Sequence, residues 1–279
     1  MLIRDFLFYW QVRHYDSSAN TRAAAWRILQ HQAPDAQLKP QLLPDAMQAS
    51  LQDETHLAQA RAAWGKTPFI TRLDADYPKR LAEAYAPPAV LFYQGDLTLL
   101  HTLNLAVVGA RQATAYTSQA LTQLGAALAQ ITVVSGLASG ADSMAHRFAI
   151  SHHFPTIAVI ATGLDQVYPP AHDDLQQWIS QHGLVLSEYP PGVAPTRRHF
   201  VERNRIIAGL CHGLLVTEAA MHSGSLITAN LALQNNREVF ALPGPITAPL
   251  AAGSNALLQA GAKLIASGAD IMEEINYYW

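Results

Sequence analysis

The chain has 279 residues, half of them hydrophobic and 14% charged, with a formal net charge of −3. This composition excludes a disordered chain and supplies apolar material for one large domain plus a small one. The slightly negative balance excludes a pervasively basic nucleic-acid binder, so any such binding must be focal.

No secretory signal opens the chain. Residues 6–10 are apolar, but Arg4, Asp5 and Arg13 bracket them closely. No run approaches the roughly 18 apolar residues needed to cross a bilayer. Cys211 is the single cysteine and is expected to be a small buried hydrophobe, which fits a reducing compartment. The expected location is the cytoplasm, with no membrane contact.

Residues 1–66 are expected to form a small helical domain. Asp16, Ser17, Ser18 and Thr21 offer caps before a helix at 23–30. Pro34, Pro40 and Pro44 break the pattern, and residues 51–64 resume it. No glycine occurs before Gly65. Residues 67–100 suggest short extended pieces at 68–70, 74–78 and 87–93 around one helical stretch.

From Leu103 onward apolar runs alternate with helical stretches. Strands are predicted at 105–108, 132–134, 157–160, 184–186, 214–217 and 239–242, with amphipathic helices such as 117–129 and 142–151. A last apolar piece at 263–265 precedes a helix at 269–276. Several runs are continuously apolar, as in a sheet covered on both faces. The predicted fold is α/β: an extended Rossmann-like, doubly wound, mostly parallel sheet over residues 67–279.

Special residues gather just after the strands: Gly109 to Arg111, Ser135-Gly136, Thr162-Gly163, Glu188 to Pro190, Thr217-Glu218 and Pro243-Gly244. Ligands in open α/β sheets bind outside the carboxyl ends of the strands. The candidate site is therefore this rim.

Four segments there bear on chemistry. Gly136-Leu137-Ala138-Ser139-Gly140-Ala141-Asp142 follows a strand and opens a helix. It is either an anion site or a tight turn capped by Ser139 or Asp142. Arg111, at the top of a strand, faces a phosphate or pairs with a carboxylate. The run from Arg197 to Arg205 holds Arg197, Arg198, Arg203 and Arg205 against Glu202 alone, beside Phe200. We expect it to lie in a loop, with a helix beginning at Ile206. Cations with an aromatic ring suit single-stranded nucleic acid, and positive charge is unfavourable at a helix N-terminus without an anionic partner. Finally, Ser223, Gly224 and Ser225 can cap a helix and present N–H groups. Glu218 nearby is expected to pair with Arg203 or Arg205 rather than to act as a base.

No metal is expected. His152-His153 is the one adjacent histidine pair and has no further ligand at metal-binding spacing. No cofactor and no catalytic residue are assigned. The phosphoribohydrolase signature P-G-G-x-G-T-x-x-E, a mark of nucleotide enzymes on similar folds, does not occur. A nucleotide-binding or nucleotide-hydrolysing protein is the alternative reading.

At these loops the chain resembles the DprA/Smf family of bacterial DNA-processing proteins. The matching text is AVVGARQAT (106–114), SGLASGAD (135–142) with His146, TGLD (162–165), VYP (167–169) and SEYPPG (187–192). It continues through His199-Phe200, RNRIIAG (203–209), TEA (217–219), SGSLITA (223–229) and VFALPG (239–244). The resemblance runs from about Pro68 to the end. It implies a homodimer that binds single-stranded DNA, protects it and assists loading of RecA in natural transformation. It implies that Arg111 and Arg197 contact phosphates, that Phe200 stacks on a base, and that 136–142 shapes the pocket. Arg197 stands where family members often carry lysine. No C-terminal winged helix is expected in this chain, and residues 1–66 resemble the family's sterile-alpha-motif-like module loosely.

Overall fold

The computed structural model describes residues 1–53, 55, 58 and 67–275. Its centre is a nine-stranded sheet of order β1-β2-β6-β5-β4-β3-β7-β8-β9. The strands are β1 (Phe69–Thr71), β2 (Val90–Gly95), β3 (Asn104–Val108), β4 (Thr132–Ser135), β5 (Thr156–Ile160), β6 (Leu184–Ser187), β7 (Gly213–Val216), β8 (Glu238–Ala241) and β9 (Lys263–Leu264). β1 and β2 are antiparallel additions at one edge, and the run from β6 to β9 is parallel.

Alternate residues of each strand enter different cores, as the two-residue period of a strand requires. Ala106, Val108, Val134, Ile157, Val159, Leu214 and Val216 face one side. There they pack under helices α9 (Arg197–Leu210) and α10 (Gly224–Gln234) through Ile206, Ile207, Leu210, Ala229 and Ala232. Leu105, Val107, Val133, Leu215 and Phe240 face the other. They meet α6 (Ala115–Leu124), α7 (Ala141–Ser151) and α12 (Gly268–Ile275). α8 (Asp173–His182) covers β5 and β6 on that second side, and α11 (Ala252–Gln259) follows the loop after β8.

Helices α1 (Ile3–His14), α2 (Ala19–Arg22), α3 (Ala24–Leu29) and α4 (Asp45–Leu51) precede the sheet, and α5 (Lys79–Ala82) lies between β1 and β2. The resumed pattern predicted at 51–64 lies mostly outside the described residues. Ile3, Phe6, Leu7 and Trp10 share one apolar core with Val90, Phe92, Ala158 and Val185. The leading helices therefore complete the cover of the sheet.

Two local expectations are corrected. Residues 74–78 form a turn, because Asp74 Oδ2 accepts from Thr71 N at 2.7 Å and Thr71 Oγ1 at 2.8 Å. The arginine-rich run is helical from Arg197, nine residues before Ile206. Thr196 caps it, its Oγ1 accepting from His199 N at 3.2 Å.

Candidate nucleic-acid interface

From β3 the chain winds outward through β4, β5 and β6. It then returns to the other side of β3 for β7, β8 and β9. The switch point lies between β3 and β7, where an open α/β sheet forms its crevice. A cavity of about 890 Å³ opens there, lined by Gly109, Arg111, Tyr168, residues of α9 and Ser223 to Ser225.

Close backbone packing builds its floor. A Cβ on Gly109 would stand 2.5 Å from Thr217 Oγ1 and 2.7 Å from the Ala141 Cβ. Gly140 has φ +77°, and a Cβ there would approach the Ala110 carbonyl oxygen to 2.3 Å. Both positions need glycine. Asp142 resolves the choice left open for the 136–142 loop. Its Oδ2 accepts from Gly136 N at 3.1 Å and from Ala138 N at 3.4 Å. These amides serve the turn rather than an external anion. Gly136 is buried, Ser139 is exposed but does not line the cavity, and Gly140 lies beneath Arg111.

Helix periodicity sorts the arginine-rich run. Arg197, Phe200, Val201, Asn204 and Ile207 all line the cavity. They follow the i, i+3, i+4, i+7, i+10 spacing of one helix face. Arg198, Glu202 and Arg205 occupy another face. Arg198 Nε donates to Glu202 Oε1 at 2.8 Å and its Nη1 to the Asp16 carbonyl oxygen at 2.8 Å. Arg205 is buried and donates to both Glu188 carboxylate oxygens at 2.7 and 2.6 Å. It is thus withdrawn from the set of cations open to a ligand. Arg203 is buried too, donates to the Val159 carbonyl oxygen and reaches only the cavity floor. Burial lowers its pKa, which the nearby Asp142 charge opposes; burial also raises the Asp142 pKa against the pull of Arg203.

Arg111 and Arg197 remain exposed at the mouth. Phe200 is half-buried, with the Arg111 guanidinium carbon 5.4 Å from its ring centroid and the tilted Tyr168 ring 5.1 Å away. Tyr168, Asn204 and His222 line the cavity without having been singled out from sequence. Tyr168 had a signal, as the aromatic of a rim loop after β5. Ser223 and Ser225 lie across from α9 with hydroxyls 2.9 Å apart at the start of α10, and Gly224 lies exposed between them.

The expected pairing of Glu218 with Arg203 or Arg205 is corrected. Glu218 accepts instead from Thr114 N at 2.8 Å, Thr114 Oγ1 at 2.9 Å and Thr117 Oγ1 at 2.7 Å. The carboxylate that binds Arg205 is Glu188, held also by Arg22 Nε and Nη2 at 3.1 Å each. Burial alone would lower the Arg22 pKa, but Glu188 and Glu202 carry it upward.

The profile of the DNA recombination-mediator protein A family matches residues 68–276. The chain belongs to this family, also called DprA/Smf. This DprA/Smf member is 45% identical over 226 residues to DNA processing protein DprA of Streptococcus pneumoniae, covering 81% of this chain and 79% of that one. It is 39% identical to protein Smf of Escherichia coli over 225 residues, covering 78% of this chain and 60% of Smf. The crystal structure of the Streptococcus pneumoniae protein superposes with a TM-score of 0.85 at 38% identity, covering 96% and 97% of the two chains. A structure concerning the single-stranded DNA binding mode of DNA processing protein A from Helicobacter pylori superposes at 0.67 with 30% identity, covering 77% and 99%. Among the described residues, no helix is long and apolar enough to cross a membrane.

Proposed function

We propose that this DprA/Smf member binds single-stranded DNA across the open end of its sheet. Arg111 and Arg197 hold phosphates, Phe200 lies under a base, and Ser223, Gly224 and Ser225 offer polar contacts from the facing loop. The observation that carries this reading is the pairing of two exposed guanidinium groups with one half-buried aromatic ring at the switch-point cavity. A cation-lined groove with a stacking platform suits a flexible polyanion with unpaired bases, and such binding is largely sequence-tolerant. The Helicobacter pylori relative's single-stranded DNA binding mode supports the same reading.

Family membership extends it. The bound strand is protected and passed to RecA during recombination in natural transformation, by a homodimer in the cytoplasm. Residues 1–66 serve as a helical domain beside a DNA-binding domain of residues 67–279. The protein works as a binder, not a catalyst. Glu218, the rim carboxylate, ties the Thr114 amide and the Thr114 and Thr117 hydroxyls into the rim, a structural use that supports this reading.

The test is fluorescence anisotropy of a labelled oligo-dT strand over a salt series, with a matched duplex as control. Single strands should bind preferentially and weaken steeply with salt. Arg197→Ala should flatten the log–log salt slope by about 0.7, the share of one phosphate contact on a single strand. Phe200→Ala should weaken binding by about tenfold, within the range for one base–aromatic stack. Natural affinity in both variants would remove the site assignment.

A further inference from the structure

We propose that a second cavity, beside Glu218, is a nucleobase subsite selective for a base edge carrying an amino group, with cytosine as its test ligand. The inference rests on the single-stranded DNA reading above. The cavity measures about 360 Å³ and lies between the ends of β7 and β8 on the same rim. That is within the usual range of small-molecule pockets.

The two cavities share no lining residue but lie side by side on the rim, divided by the turn from Arg111 to Thr114. Gly109 lines the first, and a Cβ on it would stand 2.5 Å from Thr217 Oγ1 and 3.0 Å from the Glu218 carbonyl oxygen. Thr217 and Glu218 line the second. Arg111 lines the first and Thr114 the second, with only Gln112 and Ala113 between them. In the proposed path, a strand leaving Phe200 crosses the turn from Arg111 to Thr114 to enter the second cavity.

Its walls suit a flat ring. Tyr116, Pro243, Pro245 and Leu250 supply apolar surface. The Tyr116 hydroxyl donates to the Pro243 carbonyl oxygen at 2.6 Å. Asn255 holds Gly244 from both sides, accepting from its N–H at 3.1 Å and donating to its carbonyl at 2.9 Å. The cavity is thus pre-formed by hydrogen bonds that do not involve a ligand.

Its polar end decides the ligand. Glu218 Oε2 accepts from Thr114 N and Thr117 Oγ1, whereas Oε1 accepts from Thr114 Oγ1. A carboxylate has about four acceptor sites, so capacity for a further donor remains. A phosphate is repelled by this group and cannot donate to it. A base edge with an amino group can, as in carboxylate recognition of the cytosine N4 amino group. Thymine and uracil present a carbonyl oxygen at that ring position instead.

The experiment compares labelled oligo-dC, oligo-dT and oligo-dU of equal length by anisotropy with the full chain at one salt concentration and neutral pH. Oligo-dU separates the thymine methyl group from the 4-position contrast. Oligo-dC should bind about tenfold tighter than both, the low end for a hydrogen bond to a charged group. Glu218→Gln, which places an amide donor in the cavity, should abolish or reverse that preference. Ala248→Trp, on the half-buried wall, fills the cavity and should lower oligo-dC affinity to that of oligo-dT; it tests the subsite without disturbing the Glu218 hydrogen bonds. Equal affinities for the three strands in the natural chain overturn the subsite and leave the single-strand reading standing. A cytosine preference that survives both variants also overturns the subsite. Failure of all three strands to bind overturns both.

Discussion

Gly136 has no room for one methyl group. A Cβ there would stand 1.9 Å from an Arg203 guanidinium nitrogen, and that guanidinium is buried and bonded to the Val159 carbonyl. Gly136→Ala should therefore cost about 1–3 kcal/mol of stability, the range for overpacking a filled interior. Urea unfolding measures it, and an unchanged midpoint would show that Arg203 yields freely. The same contact explains what was legible at this scale. Arg111, Arg197, Phe200 and Ser223 to Ser225 could be placed because they sit at strand ends or helix starts on the rim. Arg203 and Arg205 could not be told from them, because burial is a property of the fold. The partner of Arg205 is Glu188, on the far side of the loop after β6, and no local spacing reveals such a pairing.

Helix α9 turns residue types into a site. A loop would leave its four arginines free to gather on one ligand. The helix instead sends Arg197, Phe200 and Asn204 to the cavity and Arg198 with Glu202 toward the leading helices. The run had helical spacing, yet the helix start was legible only with its cap. The cap is Thr196, just outside the arginine-rich segment and after Pro195. Removing it loosens the turn that carries Arg197 and Phe200. Thr196→Ala should cost about 1 kcal/mol in denaturant unfolding, the typical value for a lost N-cap. It should also weaken oligo-dT binding severalfold, and Thr196→Ser should restore both. A loss of stability with intact affinity would mean that the first turn does not position the site.

At the scale of the molecule, the six central strands and their parallel arrangement were legible because they are buried on both faces and hence almost wholly apolar. The docking of the leading helices was not, since it depends on Phe6, Trp10 and Gln11 meeting β2, β5 and the Glu188 loop across long sequence separations. Burial of the whole also fixes how stability responds to acid. His146, on the buried face of α7, has Nδ1 2.7 Å from Thr156 Oγ1, and burial, helped by the charges of Arg203 and His172, lowers its pKa from 6.5 to about 3. Burial, with Arg80, lowers that of His212 to about 4. Both side chains are neutral in the folded protein and regain ordinary basicity on unfolding. Between about pH 6.5 and the folded values the unfolded chain binds more protons, so stability falls as pH falls through that window. Each histidine contributes up to about 1.4 kcal/mol per pH unit. Urea unfolding at pH 5 should therefore give about 2–4 kcal/mol less stability than at pH 7. His146→Asn keeps a polar partner for Thr156 but cannot titrate, and should shrink that difference by about 2 kcal/mol. An undiminished difference in the variant would place the proton uptake on other groups.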